Sequence, residues 1–586
     1  MEAREAPVVG RNAEIAQLLS QLEAAEKGVG SALLLRGEPG IGKSRLLREL
    51  RRAARSQGVT EYECSCLPEH QNSALRPMLV LLQRELRLLE APSPEAASER
   101  LASALERTEV TASLAVPVLC LWLSLPLAEG YQQLSHSPAR QKKVLFESLI
   151  QLLFGLARER AMLLVLEDLH WADPTTIEFL RALVGSLRRQ PIMLALSARP
   201  EFESPFSSDE ITIVQLERLA AALTAPLMRR ALGDVSANDA VVTVVAQQTD
   251  GVPLFVEEYT RMLVDGGDLQ IVDGHYAFSS SHTAPTIPIR LRELLTERVE
   301  RSGARRESVQ LAAVIGRTFD FELLAIASAV SAEALQSDLD ALCQADLVHA
   351  GGGAGGTYSF RHALIRDAAY DSIPARARQV AHGRVAAALI RRFQKGGQED
   401  SALVAGHCAA AGDYASAARY GVRATRAVLL RSANDETVAM ARQSLAWNQK
   451  NQAADPVERD RIEYELVNSM FPALLAVAGL GSAELVELGK LTATLRARLE
   501  AAGIDPTALG PAGSGLDAEY VRRWVLFQDY QFRSQFGAAV ELAEGMLAEA
   551  RAAEHRRKQL LLLPLLGQTH HFRGDLRRAR QCLEEA

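Results

Sequence analysis

Residues Gly37-Glu38-Pro39-Gly40-Ile41-Gly42-Lys43-Ser44 have the spacing G-x-x-x-x-G-K-[ST]. Each position has a physical task. The glycines let backbone N–H groups turn inward around phosphate oxygens. A helix that begins at the loop adds partial positive charge at its N-terminus. Lys43 has the reach to meet β- and γ-phosphates, and the Ser44 hydroxyl suits Mg²⁺. Arg45, the next residue, is counted with the loop as a cofactor-binding candidate.

A second group of residues complements the loop. The apolar run Met162-Leu163-Leu164-Val165-Leu166 leads straight into Glu167-Asp168. A buried strand ending in acids places a carboxylate beside a phosphate loop. One acid would hold the metal and the other would orient or deprotonate the attacking water. Side chains alternate along a strand, so only one of the two points at the metal without local adjustment. Sequence leaves open which one does. A third apolar run ends in Ser197-Ala198-Arg199-Pro200, where Arg199 is placed to sense a γ-phosphate and neutralise charge in phosphoryl transfer. The catalytic candidates are therefore Glu167, Asp168 and Arg199, and the metal candidates are Ser44, Glu167 and Asp168.

These residues need a scaffold. Apolar strands at Ala32–Leu35, Met162–Leu166 and Ile192–Ser197, with further strands near Val59–Cys64 and Ile211–Val214, alternate with helical stretches. That pattern predicts a parallel α/β sheet over about 7–215, with a long helical region from about 73 to 160. Residues 216–285 read as a small helical domain ending in the polar stretch Ser279–Thr283. Residues 286–385 read as helices followed by a β-hairpin, Leu347–Ala350 and Tyr358–Phe360, around a glycine-rich tip at Gly351–Gly356, which predicts a winged helix. From 386 to 586 the pattern is helical throughout. Leu563, Leu566, Gly567, His570, Ala579 and Leu583 fall in the slots of a tetratricopeptide repeat, Gly412, Ala417 and Ala424 mark another unit, and Phe527, Tyr530, Ala539 and Ala543 a degenerate one. The last repeat is incomplete at Ala586, from which a truncated product or a piece of a longer protein is expected. The fold class expected is thus a P-loop NTPase core, a small helical domain, a winged helix and an all-α solenoid.

Composition narrows the function classes. The 586 residues are 48% hydrophobic and 5% aromatic, with a net charge of −7, which argues against bulk attraction to nucleic acid. The six cysteines are scattered without a C-x-x-C pair, as in reduced, structural thiols. The charged N-terminus lacks a signal-peptide core, and the most apolar stretch, Leu114–Ala128, is short and contains Pro117 and Pro126. A soluble cytoplasmic protein is expected. The five arginines at 45, 48, 51, 52 and 55 read as a solvated helix face or an anion-binding stripe.

The combination resembles the STAND class of signal-transduction ATPases, AAA+-like P-loop NTPases, and within it the bacterial Orc-like branch. Val8-Val9-Gly10-Arg11-Asn12-Ala13-Glu14 is similar to that family's N-terminal motif, so the resemblance implies that Gly10 and Arg11 contact the base and ribose region. Leu166–Asp173 resembles its extended acidic strand motif, with Glu167 where many relatives carry Asp. Gly251-Val252-Pro253-Leu254-Phe255 is similar to its GxP motif, implying that Pro253 packs near the adenine. Phe360–Arg366 resembles the segment after the wing, which makes His362 a candidate for the β-phosphate of ADP.

The resemblance implies an ATP/ADP and Mg²⁺ switch with slow hydrolysis, whose helical repeats sense a protein or small-molecule inducer and which self-associates with nucleotide. The alternative is the regulatory part of a larger kinase, adenylate cyclase or transcription regulator. No kinase motif is present, no inter-subunit arginine finger or pore loop of a remodelling machine is identifiable, and neither nucleic acid nor membrane is an expected partner.

Overall fold

The computed structural model describes residues 8–106, 110–132, 138–233, 235–279, 291–351, 356–394, 400–431, 433–452, 455–479, 482–509, 520, 523–524, 526–527, 530–531, 534–553 and 555–585. The chain divides into two compact units, Met1–Glu399 and Asp400–Ala586.

The first unit is built on a five-stranded sheet of β1 (Ser31–Arg36), β2 (Thr60–Ser65), β3 (Met162–Glu167), β4 (Ile192–Ala198) and β5 (Thr212–Gln215). All pairings are parallel, in the order β2-β3-β4-β1-β5. Strands β3 and β4 are buried along their whole length, which is why they read as unbroken apolar runs. On one face, Leu33, Leu35, Leu163, Val165, Met193 and Ala195 pack against the apolar stripes of the helices Asn12–Glu26 and Lys43–Gln57. The helix Pro174–Ser186 starts at Asp173, whose buried side chain accepts from the Thr176 N–H. The long stretch between β2 and β3 forms the helices Arg76–Glu85, Pro94–Glu106, Ala112–Leu123 and Pro138–Ala157, with Pro117 inside the third.

The next segment departs from the all-helical expectation for 216–285. Besides the helices Thr224–Ala231, Asp239–Thr249 and Pro253–Asp265 it contains an antiparallel hairpin, β6 (Leu269–Val272) and β7 (His275–Phe278). Asp273-Gly274 makes its turn, both residues at positive φ, a two-residue hairpin signature. Leu269 joins Tyr259, Val245 and Met228 in the local core, so the hairpin is held by burial as well as by its turn. Residues 280–283 of the expected polar stretch lie outside the described residues.

Further along, the helices Leu291–Arg301, Arg306–Ile315, Phe321–Ala327 and Ala332–Gln344 surround a three-stranded antiparallel sheet. The expected hairpin is present as β9 (Val348–Ala350) and β10 (Thr357–Phe360). A third strand, β8 (Thr318–Asp320), pairs with the other side of β10. Residues 352–355 of the glycine-rich tip lie outside the described residues. The helices Ala363–Asp371 and Ala375–Gln394 follow, and Phe319, Phe360, Leu339 and Ile365 share one core.

In the second unit, helices are joined by short turns and each packs on its chain neighbour, the layout of a helical solenoid. Gly412 and Gly574 adopt left-handed φ angles of 84° and 88° as C-caps of the helices Ser401–Ala411 and Arg556–Arg573. Ala417, Ala424, Leu563, Leu566, His570 and Ala579 are buried, as the repeat slots require, whereas Leu583 is exposed. A Cβ on Gly567 would meet Leu583 at 2.8 Å, so the two helices approach there as closely as glycine allows.

None of the six cysteines is in a disulfide. Among the described residues, no helix is long and apolar enough to cross a membrane.

Candidate functional site

The carboxyl ends of β1, β4 and β3 lie side by side, and every catalytic candidate stands on one of them. After β1 the chain turns through Gly40 at φ 80° and Gly42 at φ 108°, a conformation that side-chain-bearing residues rarely adopt. Gly42 is the N-cap of Lys43–Gln57, so that helix starts at the loop. Lys43 is buried, and its ammonium donates to the carbonyls of Gly37 at 2.7 Å and Glu38 at 3.0 Å. Burial pulls its pKa below the ordinary value, against the pull of Asp168 and Glu167. A cation held in this way near neighbouring acids is prepared for an anionic ligand.

Ser44 donates its hydroxyl hydrogen bond to Glu167 Oε2, across 123 residues of sequence. Glu167 is buried, and desolvation raises its carboxyl above the usual range. A hydroxyl beside a buried carboxylate is a hard-oxygen donor pair of the kind Mg²⁺ takes. The residues present therefore fit a divalent ion held by Ser44 and Glu167. Among the described residues, no group of three or more His, Cys, Asp or Glu residues gathers as a metal cluster.

Asp168 faces elsewhere. It sits at φ 61°, in the left-handed region, and its N–H donates to Ser197 Oγ on the neighbouring strand at 3.1 Å. Its Oδ2 pairs at 2.9 Å with Arg317, which comes from the segment before β8. The two acids that sequence left interchangeable are thus separated by a backbone turn. Arg199 lies with its guanidinium 5.7 Å from the Trp171 ring centroid, and its charge acts on Lys43. His170, between them in sequence, has both ring nitrogens buried without a hydrogen-bond partner, and burial pushes its pKa down to about 4.

The remaining candidates are spread around the loop. Arg11 is buried, bonds Glu14 at 3.0 Å and donates to the Glu217 carbonyl. Gly10 has φ 70°, and a Cβ there would lie 2.3 Å from Leu223. Pro253 opens its helix in the first turn, and the following Leu254 N–H donates to the Gly40 carbonyl at 3.2 Å. The expected GxP segment therefore rests on the phosphate loop itself. Glu38 is held by a forked ion pair with Arg218 at 2.8–3.1 Å. Pro39 and Ile41 complete the loop, with Ile41 buried in the sheet core. Arg45 pairs with Glu49 at 3.2 Å. Arg51, Arg52 and Arg55 also pair with Glu49, Glu61 or Glu63, so four of the five arginines sit in ion pairs, while the charge of Arg48 acts on His362. His362 stands at the N-cap position of Ala363–Asp371 without a side-chain capping bond, and burial together with Arg361, Arg48 and Arg317 pushes its pKa down to about 3.

Sequence reasoning missed Arg317, Ser197 and Asp173. Arg317 follows a glycine at a helix end and carries no motif, and its partner is 149 residues away. Asp173 did have a signal, because Asp173-Pro174 has the form of a helix N-cap followed by proline at N1.

Residues 7–195 match the AAA ATPase domain family, so this chain carries an AAA ATPase domain. A curated protein of Rhizobium meliloti (strain 1021), described as uncharacterized, is 27% identical over 496 residues. The match covers 81% of this chain and 46% of that protein, so the chain spans about half the length of its curated relative. Among solved structures, a STAND protein with a tetratricopeptide repeat sensor from Pyrococcus horikoshii is 12% identical, with 100% of this chain and 78% of that chain covered and a TM-score of 0.41. The Aeropyrum pernix Orc1 protein, solved in complex with DNA, is 16% identical, with 62% and 93% covered and a TM-score of 0.30.

Proposed function

We propose that this chain is a nucleotide-controlled signalling switch of the STAND type, an ATP-binding regulatory NTPase with slow Mg²⁺-dependent hydrolysis. The observation that carries this reading is the convergence of three chain segments on the phosphate loop and the acids beside it. The core supplies Lys43, Ser44 and the acids. The GxP segment rests on Gly40, and Arg317 reaches Asp168 from the third module. A ligand seated there would bear on all three segments at once, and a switch requires a ligand that favours one arrangement of them over another. The proposed division is 7–215 for the NTPase, 216–285 for the small helical domain, 286–385 for a winged helix and 386–586 for tetratricopeptide-like repeats.

In this reading the loop amides and Lys43 hold the phosphates, while Ser44 and Glu167 hold Mg²⁺. The ion would neutralise charge on the β- and γ-oxygens. Asp168 orients water. Arg199 lies near enough to Lys43 to respond to a terminal phosphate. Gly10, Arg11 and Pro253 border the base side, and His362 borders the phosphates from the third module. The repeats would take a protein or small-molecule inducer, and nucleotide would govern self-association. Moving such a switch from mostly off to mostly on takes about 5.5 kcal/mol of differential binding, which nucleotide and inducer together would supply.

The test is calorimetry with ADP and a non-hydrolysable ATP analogue on the wild-type chain and the Lys43→Ala variant. Wild type is expected to bind, and the variant to lose about a hundredfold or more in affinity, or roughly 2.7 kcal/mol. Normal affinity in the variant, or no heat with wild type, would overturn the reading. A second reading, the regulatory part of a larger kinase, adenylate cyclase or transcription regulator, is favoured by the greater length of the Rhizobium relative. Genomic sequence extending this chain into an output module would support it.

A further inference from the structure

Arg317 is gripped from three sides. Its carbonyl accepts from the Phe360 N–H at 2.9 Å, which ties it to β10. Its backbone runs beside the Glu69 carboxyl, which burial pushes above the usual carboxylate range. Gly316, just before it, leaves room for that acid: a Cβ there would lie 2.6 Å from Glu69 Oε1. Glu69 belongs to the turn that follows β2, so one acid of the core abuts the Arg317 backbone and another pairs with its guanidinium. Side chains of the pair are about a quarter exposed, at 25% and 24%. So many constraints on one arginine set its reach closely.

We propose that Arg317 is a latch that occupies Asp168 and disfavours the magnesium–triphosphate form of the site relative to the diphosphate form. The inference rests on the nucleotide-switch reading above. Its physical basis is like-charge repulsion and competition for one carboxylate. A guanidinium on Asp168 stands close to the position where Ser44 and Glu167 would hold a divalent cation, and its charge already acts on Glu167. While it occupies the Asp168 carboxylate, that acid is engaged when a water needs orienting. The diphosphate form, which needs neither the water nor a fully formed metal site, tolerates the latch. By linkage, whatever pulls the third module away from the core would favour the triphosphate by the same factor that the triphosphate favours the pulling. Arg317 is therefore a positioning residue that acts through Asp168.

The measurement is the ratio of affinities for ADP and for a non-hydrolysable ATP analogue, both with Mg²⁺, by calorimetry on the full chain. Arg317→Ala is expected to shift the ratio toward the triphosphate by about five- to tenfold and to speed release of a fluorescent ADP. Arg317→Lys, which keeps charge but loses the fork, is expected to fall between Arg317→Ala and wild type. Glu69→Gln, which removes the acid's charge beside Arg317 without touching the nucleotide loop, is expected to move the ratio the same way by a smaller factor. Circular dichroism confirms that each variant is folded. If the ratio stays unchanged in Arg317→Ala, the latch is refuted. If it moves toward the diphosphate, Arg317 contacts the terminal phosphate itself and the proposal is overturned. Failure of wild type to bind either nucleotide would remove the switch reading instead, so the two failures are distinguishable.

Discussion

The polar groups at the nucleotide site and a set of hydroxyls in the stacked helices after Asp400 find their partners at different ranges. At the site the partners are remote. Ser44 bonds Glu167 across 123 residues, the Asp168 N–H bonds Ser197 across 29, and Asp168 pairs with Arg317 across 149. In the helical unit five hydroxyls look inward to their own helix. Thr425, Thr437, Ser469, Thr492 and Thr569 each donate to the carbonyl four residues earlier. A polar group satisfied locally carries only its own helix, and the surface around it is free to vary. A polar group satisfied remotely ties separate elements together, and a ligand that takes its partner disturbs all of them. The first arrangement suits a scaffold and the second a switch.

The strongest way to break this contrast is to remove a remote partner that is not itself chemical. Asp173 is buried and accepts from the N–H groups of Leu75 at 2.9 Å and Thr176 at 2.8 Å, and from the Thr176 hydroxyl at 2.5 Å. Asp173→Ala leaves these donors unpaired and is expected to destabilise the first unit by about 3 kcal/mol, read from urea unfolding. Hydrogen exchange should rise in both Arg76–Glu85 and Pro174–Ser186. A rise confined to one helix would show that the link is local after all.

Acid provides a second test. His382 is buried against Tyr370, whose hydroxyl lies 2.8 Å from its Nε2, and burial with Arg366 and Arg378 nearby pushes its pKa down to about 4 from 6.5. The fold therefore favours the neutral ring. That stability is fully present above about pH 6.5 and is lost as pH falls toward the folded value, because the unfolded chain binds the proton first. Between pH 7 and pH 5 the loss is ~2 kcal/mol for this one group. Denaturant midpoints at the two pH values measure it, and His382→Gln, which keeps a partner for Tyr370, is expected to flatten the dependence.

The smallest effect sharpens the other side of the comparison. A Cβ on Gly421 would lie 2.2 Å from Ser444 Oγ and 2.8 Å from its Cβ. Gly421→Ala is expected to destabilise the helical unit by about 1 kcal/mol or more through overpacking, and to leave nucleotide affinity unchanged. Calorimetry and thermal melts on the same variant check both halves. A change in nucleotide affinity would show that the helices are not an independent scaffold.

Much of the site was legible because its signals are contiguous. The glycines, Lys43 and Ser44 fall within eight residues, and the strand that ends in Glu167 announces itself by an unbroken apolar run. The hairpin β6–β7 was legible too, from Asp273-Gly274, but the helical pattern on either side outweighed four-residue strands. What could not be read was which way the Glu167 and Asp168 side chains turn. Strand alternation alone leaves both orientations open; in the fold Glu167 meets Ser44, and Asp168, on a left-handed turn bonded to Ser197, meets Arg317.

The amino-acid order alone determined the phosphate loop, the buried parallel strands, the acid pair and the helical character of the second half. Short-range sterics and hydrophobic period dictate these within a few residues. The pairing of Arg317 with Asp168, the meeting of Ser44 with Glu167 and the seating of Leu254 on Gly40 were decided only by tertiary structure. Each joins segments separated by more than a hundred residues, and only burial of one common core brings them within reach.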